Sequence, residues 1–182
     1  MPHLRLLVPE EWLRDEFRDA TGFDAKKLLD RLVAVVAGLR MENPAIEARR
    51  HALLEKHPNR AVAEQEARTD DQGNPIPEQV PMINLRNLKH AIEPLYYAHV
   101  AGDPAQRFLH ATLSAGNDTP GRTAAVRRRA AEMLGEEIDQ FVGNLPGLSS
   151  VTVHVRDIDR DRGYSTTAER KKARGTGLGP AG

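Results

Sequence analysis

Leu4, Leu6 and Val8 alternate with Arg5 and Leu7, the period-two spacing of a short strand over residues 3–8. Pro9 then occupies a first-helical position, and Glu10 and Glu11 suit the positive end of a helix. Trp12, Leu13, Phe17 and Ala20 give that short helix one apolar face, and Gly22 predicts its end. Asp24 is an N-cap for the next helix, residues 25–41. There Leu28, Leu29, Leu32, Val33, Val35, Val36 and Leu39 cover more than half the circumference, as in a helix central to a core.

Further on, the same spacing logic predicts more helices. Asn43-Pro44 opens a polar one carrying Ile46, Leu53, Leu54 and Val62, interrupted at His57-Pro58. Residues 68–82 read as a loop around Gly73-Asn74-Pro75. Leu85, Leu88, Ile92, Leu95 and His99 predict a helix over 83–100, kinked at Pro94. Phe108, Leu109 and Leu113 predict another after Asp103-Pro104, closed by Ala115-Gly116-Asn117. From Thr119-Pro120 to about residue 144, Val126, Ala130, Met133, Leu134, Ile138, Phe141 and Val142 keep helical spacing closely. Pro146-Gly147 ends it, and residues 149–155 return to period two, with Val151, Val153 and Val155 on one face.

These elements predict a mainly α fold: a compact bundle of five to six helices with a short terminal β element and an extended C-terminal tail. Residues 1–148 read as the helical domain, 149–163 as a strand and charged loop, and 164–182 as a basic, glycine-rich tail. A lone strand is not stable alone. Residues 149–155 are therefore expected to pair with residues 3–8 or to join a partner's sheet. No internal repeat is visible.

Composition narrows the setting. The chain has no cysteine, which removes disulfides and thiolate metal sites and fits a reducing compartment. No signal peptide or membrane span is visible, so the expectation is a soluble protein, cytoplasmic or within an intracellular assembly such as a virion, and without membrane partners. Basic and acidic residues balance at 26 each, with a mild polarity: 15 basic and 18 acidic in 1–118, 11 and 8 in 119–182. That field is too weak to select a partner.

Several clusters are candidates for chemistry. Asp157, Asp159 and Asp161 alternate ahead of Gly163, with Glu169 beyond, and suit a hard cation such as calcium. They depart from the EF-hand register and are interleaved with Arg156, Arg160 and Arg162, so a solvated charge ladder is the simpler reading. Arg127 and Arg128 on the long helix and Arg170, Lys171, Lys172 and Arg174 in the tail are candidate contacts for nucleic acid or a protein partner. Arg127 to Arg129 fan over roughly 200 degrees of helix, so they do not all face one strand. Val151, Val153 and Val155 are the candidate partner strand. His90 with Glu93, together with His99 and His110, supply the candidate residues of a small helical enzyme. The closing glycines formally match GxGxxG, but no helix begins inside the match. No phosphate loop, zinc-protease motif or nucleophile elbow is present, so no catalytic residue is assigned and no cofactor is expected.

The function that this pattern predicts is a non-enzymatic adaptor or structural subunit of a larger assembly, such as a ring, connector or virion component. It would be a homo-oligomer contacting other protein subunits through its terminal strand and tail. A nucleic-acid-associated protein and a small helical enzyme with a His/Glu site are the alternatives.

Overall fold

The computed structural model describes residues 2–56, 59–96, 103, 105–116 and 121–158. Its elements run β1 (His3–Pro9), a 3₁₀ turn (Glu10–Leu13), α1 (Asp15–Thr21), α2 (Ala25–Gly38), β2 (Arg40–Glu42), α3 (Pro44–Lys56), α4 (Arg60–Glu66), β3 (Gln79–Pro81), β4 (Lys89–Leu95), β5 (Arg107–Gly116), α5 (Ala124–Val142) and β6 (Leu148–Ile158).

The mainly α expectation is corrected. The protein is a mixed α/β fold built on a four-stranded sheet of order β4-β1-β5-β6, with β2 and β3 as a separate two-stranded ribbon. The helices expected over 83–100 and around Phe108, Leu109 and Leu113 are the strands β4 and β5. Leu109 and Leu113 stand four apart, a spacing that fits one helix face and one strand face equally. Ala111 and Ala115 decide it: all four side chains are buried, while His110, Thr112 and Ser114 alternate with them on the other face.

Residues 3–8 do form a strand, and the long helix is present, but it starts at Ala124 behind Thr123 as its cap; Thr119-Pro120, where the sequence pattern opened it, lie outside the described residues. Their pairing differs from the one expected. β1 lies parallel to β4 and antiparallel to β5, and β6 lies parallel to β5. The two terminal strands therefore share a sheet with β5 between them, and Ser149–Val155 is an edge strand, not a partner of β1.

The sheet consists of two β-α-β units set back to back. β1 and β4 form one parallel pair and β5 and β6 the other, with β1 and β5 antiparallel at the centre. Helices α2 and α5 pack side by side and cover one face. Leu28, Leu32 and Val36 of α2 and Ala130, Leu134 and Ile138 of α5 meet Leu4, Leu6, Val8, Leu109, Ala111 and Leu113 from the sheet. Burial of an aliphatic side chain contributes about 1.5–3 kcal/mol, so this layer is the main source of stability. Asp24 caps α2 through Lys26 and Lys27 amides, as its position predicts. At the far end Trp12, Phe17, Phe23 and Phe141 form an aromatic cluster.

Candidate active site

The chain returns from β1 to the start of the parallel strand β4, so β2, β3 and the end of α2 gather at the end of the sheet where β1 begins. Pro2 stands there, and its carbonyl accepts from the Lys89 amide at 3.0 Å. His3 is registered opposite Ser114, so Pro2, one residue earlier, falls in the row of Ala115, which is registered with Asp157. Alternation puts Pro2 on the face of Leu4 and Leu6, beneath the helices, with Ala115 and Asp157 on that same face. Two strand spacings of about 4.8 Å separate Pro2 from Asp157, roughly 10 Å in all. The side chain between them is the methyl group of Ala115.

Two guanidiniums converge on Asp157. Arg127 donates to Oδ2 at 2.6 Å and Arg122 to Oδ1 at 3.5 Å, and Arg127 also donates to the Arg122 carbonyl at 2.7 Å. The Arg122 side chain is only 5% exposed. Thr123 caps α5 by accepting from the Val126 amide, so the positive end of a 19-residue helix adds to this cationic corner. Just ahead of Arg122, Gly121 has φ +86°, a conformation glycine adopts freely, and a Cβ there would lie 3.2 Å from the Glu42 carbonyl. The β2–β3 ribbon thus seats directly against the residue that positions Arg122.

Beside the corner a pocket of about 150 Å³ opens between the end of α2, the ribbon and α5. Leu39, Met82, Val126 and Met133 line it, and Arg40 and Arg129 bring two more guanidiniums. Arg40 is steadied by the Ala37 and Leu39 carbonyls. This end of the fold can hold a small anion and carries apolar wall for its carbon skeleton.

The sequence candidates are distributed differently. Arg127 and Asp157, assigned to separate clusters, are brought together as an ion pair, while Arg128 stays exposed. Val151, Val153 and Val155 pack against the core from β6. Asp159, Asp161, Arg170, Lys171, Lys172, Arg174 and His99 lie outside the described residues. Among the described residues no three His, Asp or Glu side chains gather as a metal site. His90 and Glu93 sit on a strand at odd spacing and so on opposite faces, and Glu93 pairs with Arg5. His110 is across the sheet from His90, on the uncovered face, where its ring meets His154 edge-on at 4.9 Å and its Nε2 lies 2.9 Å from the Thr112 hydroxyl. Burial, then the nearby His154 and Arg156, lower the His110 pKa. The His/Glu site expected from helical spacing is therefore not assembled. Sequence reasoning missed Pro2 and Arg122, although Gly121 directly after Thr119-Pro120 in the sequence is a signal for a special backbone position.

No family model matches the chain, and no curated protein matches it. Among solved structures it is similar to a 5-carboxymethyl-2-hydroxymuconate delta-isomerase, with a TM-score of 0.52 and 16% identity over 99% of this chain and 96% of that one. A 5-carboxymethyl-2-hydroxymuconate isomerase from Deinococcus radiodurans R1 aligns with a TM-score of 0.48 and 15% identity over 95% and 94%. The first likeness establishes a shared fold. The solved structure that shares this fold is an isomerase, so the expected non-enzymatic adaptor, bundle and virion-component readings are set aside. Among the described residues no helix is long and apolar enough to cross a membrane.

Proposed function

We propose that the chain is a small-molecule isomerase that moves a proton within a carboxylate-bearing keto–enol acid. The observation that carries this reading is the row Pro2–Ala115–Asp157, which sets Pro2 on the face and at the end of the sheet where Arg122 and Arg127 converge. The fold shared with an isomerase supports it.

With Met1 removed, Pro2 carries a secondary amine. Free α-amino groups titrate at about 7.7–8.0, close enough to neutrality to accept and return a proton in one cycle. On a 2-hydroxydienoate the amine takes the enol proton, the double bonds shift, and the ammonium delivers a proton to the terminal diene carbon. No atom is gained or lost. The guanidiniums bind the substrate carboxylate and stabilise charge developing on its 2-oxygen. A homo-oligomer fits the sheet, whose face opposite the helices carries no second layer among the described residues. A cytoplasmic setting fits a chain without cysteine.

The test is ketonisation of 2-hydroxymuconate and phenylenolpyruvate, followed by ultraviolet absorbance, on protein whose intact mass shows loss of Met1. Turnover is expected, with Pro2→Ala slower by about 10²-fold or more. Full activity in Pro2→Ala, or no turnover of either acid by protein beginning at Pro2, overturns the reading.

A further inference from the structure

The two β-α-β units are unequal. From β5 to β6 the chain runs through residues 117–147, with α5 as the helix that covers the sheet. From β1 to β4 it takes residues 10–88, although α2 alone does the equivalent covering. The excess is α3, α4 and the turn closed by the Thr69–Pro75 bridge, an excursion that the sheet does not require. Asn43 ties its two ends together: its side chain donates to the Pro77 carbonyl and accepts from the Ala45 amide, and its own amide donates to the Glu78 carbonyl.

This excursion and the β2–β3 ribbon flank an open pocket of about 380 Å³. It is lined by Glu42, Ile46, Arg50, Glu64, Arg68, Glu78 and Gln79. Most of its charge is already committed, Arg68 to Glu78 and Glu64 to Arg60. Glu42 and Arg50 are different. They face the same cavity with opposite charge, they do not bind each other, and neither has an ion-pair partner among the described residues. Arg50 is half-buried, and Ile46 between the charged walls is 8% exposed.

We propose that this pocket binds a small zwitterionic amino acid. The Arg50 guanidinium takes the carboxylate through its two-pronged donor geometry, Glu42 takes the ammonium, and an aliphatic side chain lies over Ile46. A ligand of one charge satisfies only one of the two groups. A zwitterion satisfies both and leaves the pocket's net charge unchanged. The volume suits a molecule of amino-acid size. The site is separate from the Pro2 row and does not depend on the reaction proposed there.

Calorimetric titration of the full chain with L-leucine, isovalerate and isoamylamine tests it, alongside thermal shifts with the twenty proteinogenic amino acids. Binding of at least one aliphatic amino acid is expected, with each singly charged analogue at least about tenfold weaker. Arg50→Gln and Glu42→Gln are each expected to weaken binding about tenfold or more, with unchanged far-ultraviolet circular dichroism, while Pro2→Ala binds normally. No heat or shift with any amino acid at about 10 mM overturns the proposal. So does isovalerate binding as tightly as leucine, or a Glu42→Gln variant of unchanged affinity.

Discussion

Asp157 Oδ2 lies 2.6 Å from Arg127 Nη1, and this contact links the end of β6 to the first turn of α5. The same carboxylate reaches Arg122, whose guanidinium is almost wholly buried. Asp157→Asn keeps the shape and removes the charge, leaving two guanidiniums crowded in one corner. It is expected to destabilise the fold by about 1–3 kcal/mol in a denaturant titration. By releasing the two guanidiniums from their positions it should also raise KM for an acidic substrate more than it lowers kcat, measured by steady-state kinetics.

Gly121 connects the ribbon to that corner. An alanine there is strained by the positive φ and brings a Cβ to 3.2 Å from the Glu42 carbonyl. Gly121→Ala is expected to cost about 1–2 kcal/mol and to reduce turnover by displacing Arg122, measured by thermal melting and by the ultraviolet assay. Gly38→Ala is the control, since a Cβ meets nothing within 4 Å there.

Leu109 is fully buried at the centre of the sheet, beneath both helices. Leu109→Ala is expected to cost about 2–5 kcal/mol by chemical denaturation.

His110 gives the fold an acid-side dependence. Burial, His154 and Arg156 lower its pKa from 6.5, so the folded chain binds this proton less well than the unfolded chain. Its contribution is fully present above about pH 6.5 and is lost as the pH falls through the folded-state pKa. The melting temperature is expected to fall on acidification from pH 7 to 5, and His110→Gln, which can still bond Thr112, should flatten that slope. A slope unchanged by the substitution assigns it elsewhere.

The sequence by itself determined the elements whose signals are local. The period-two runs at His3–Val8 and Ser149–Val155, the Asp24 cap, and the continuous apolar face of α5 each need only neighbouring residues to be read. The tertiary structure decided β4 and β5, because Leu88 with Ile92 and Leu109 with Leu113 are spaced four apart and satisfy a helix and a strand alike. What selects the strand is β1, which offers unpaired backbone on both edges and is covered on one face by α2 and α5. The candidate site follows the same division. Arg127 and Asp157 are thirty residues apart and carry no shared local pattern; they meet because β6 returns parallel to β5 and ends beside the start of α5. Pro2 acquires significance only from the row it shares with them, and a row across three strands is a property of register, which no single stretch of chain contains.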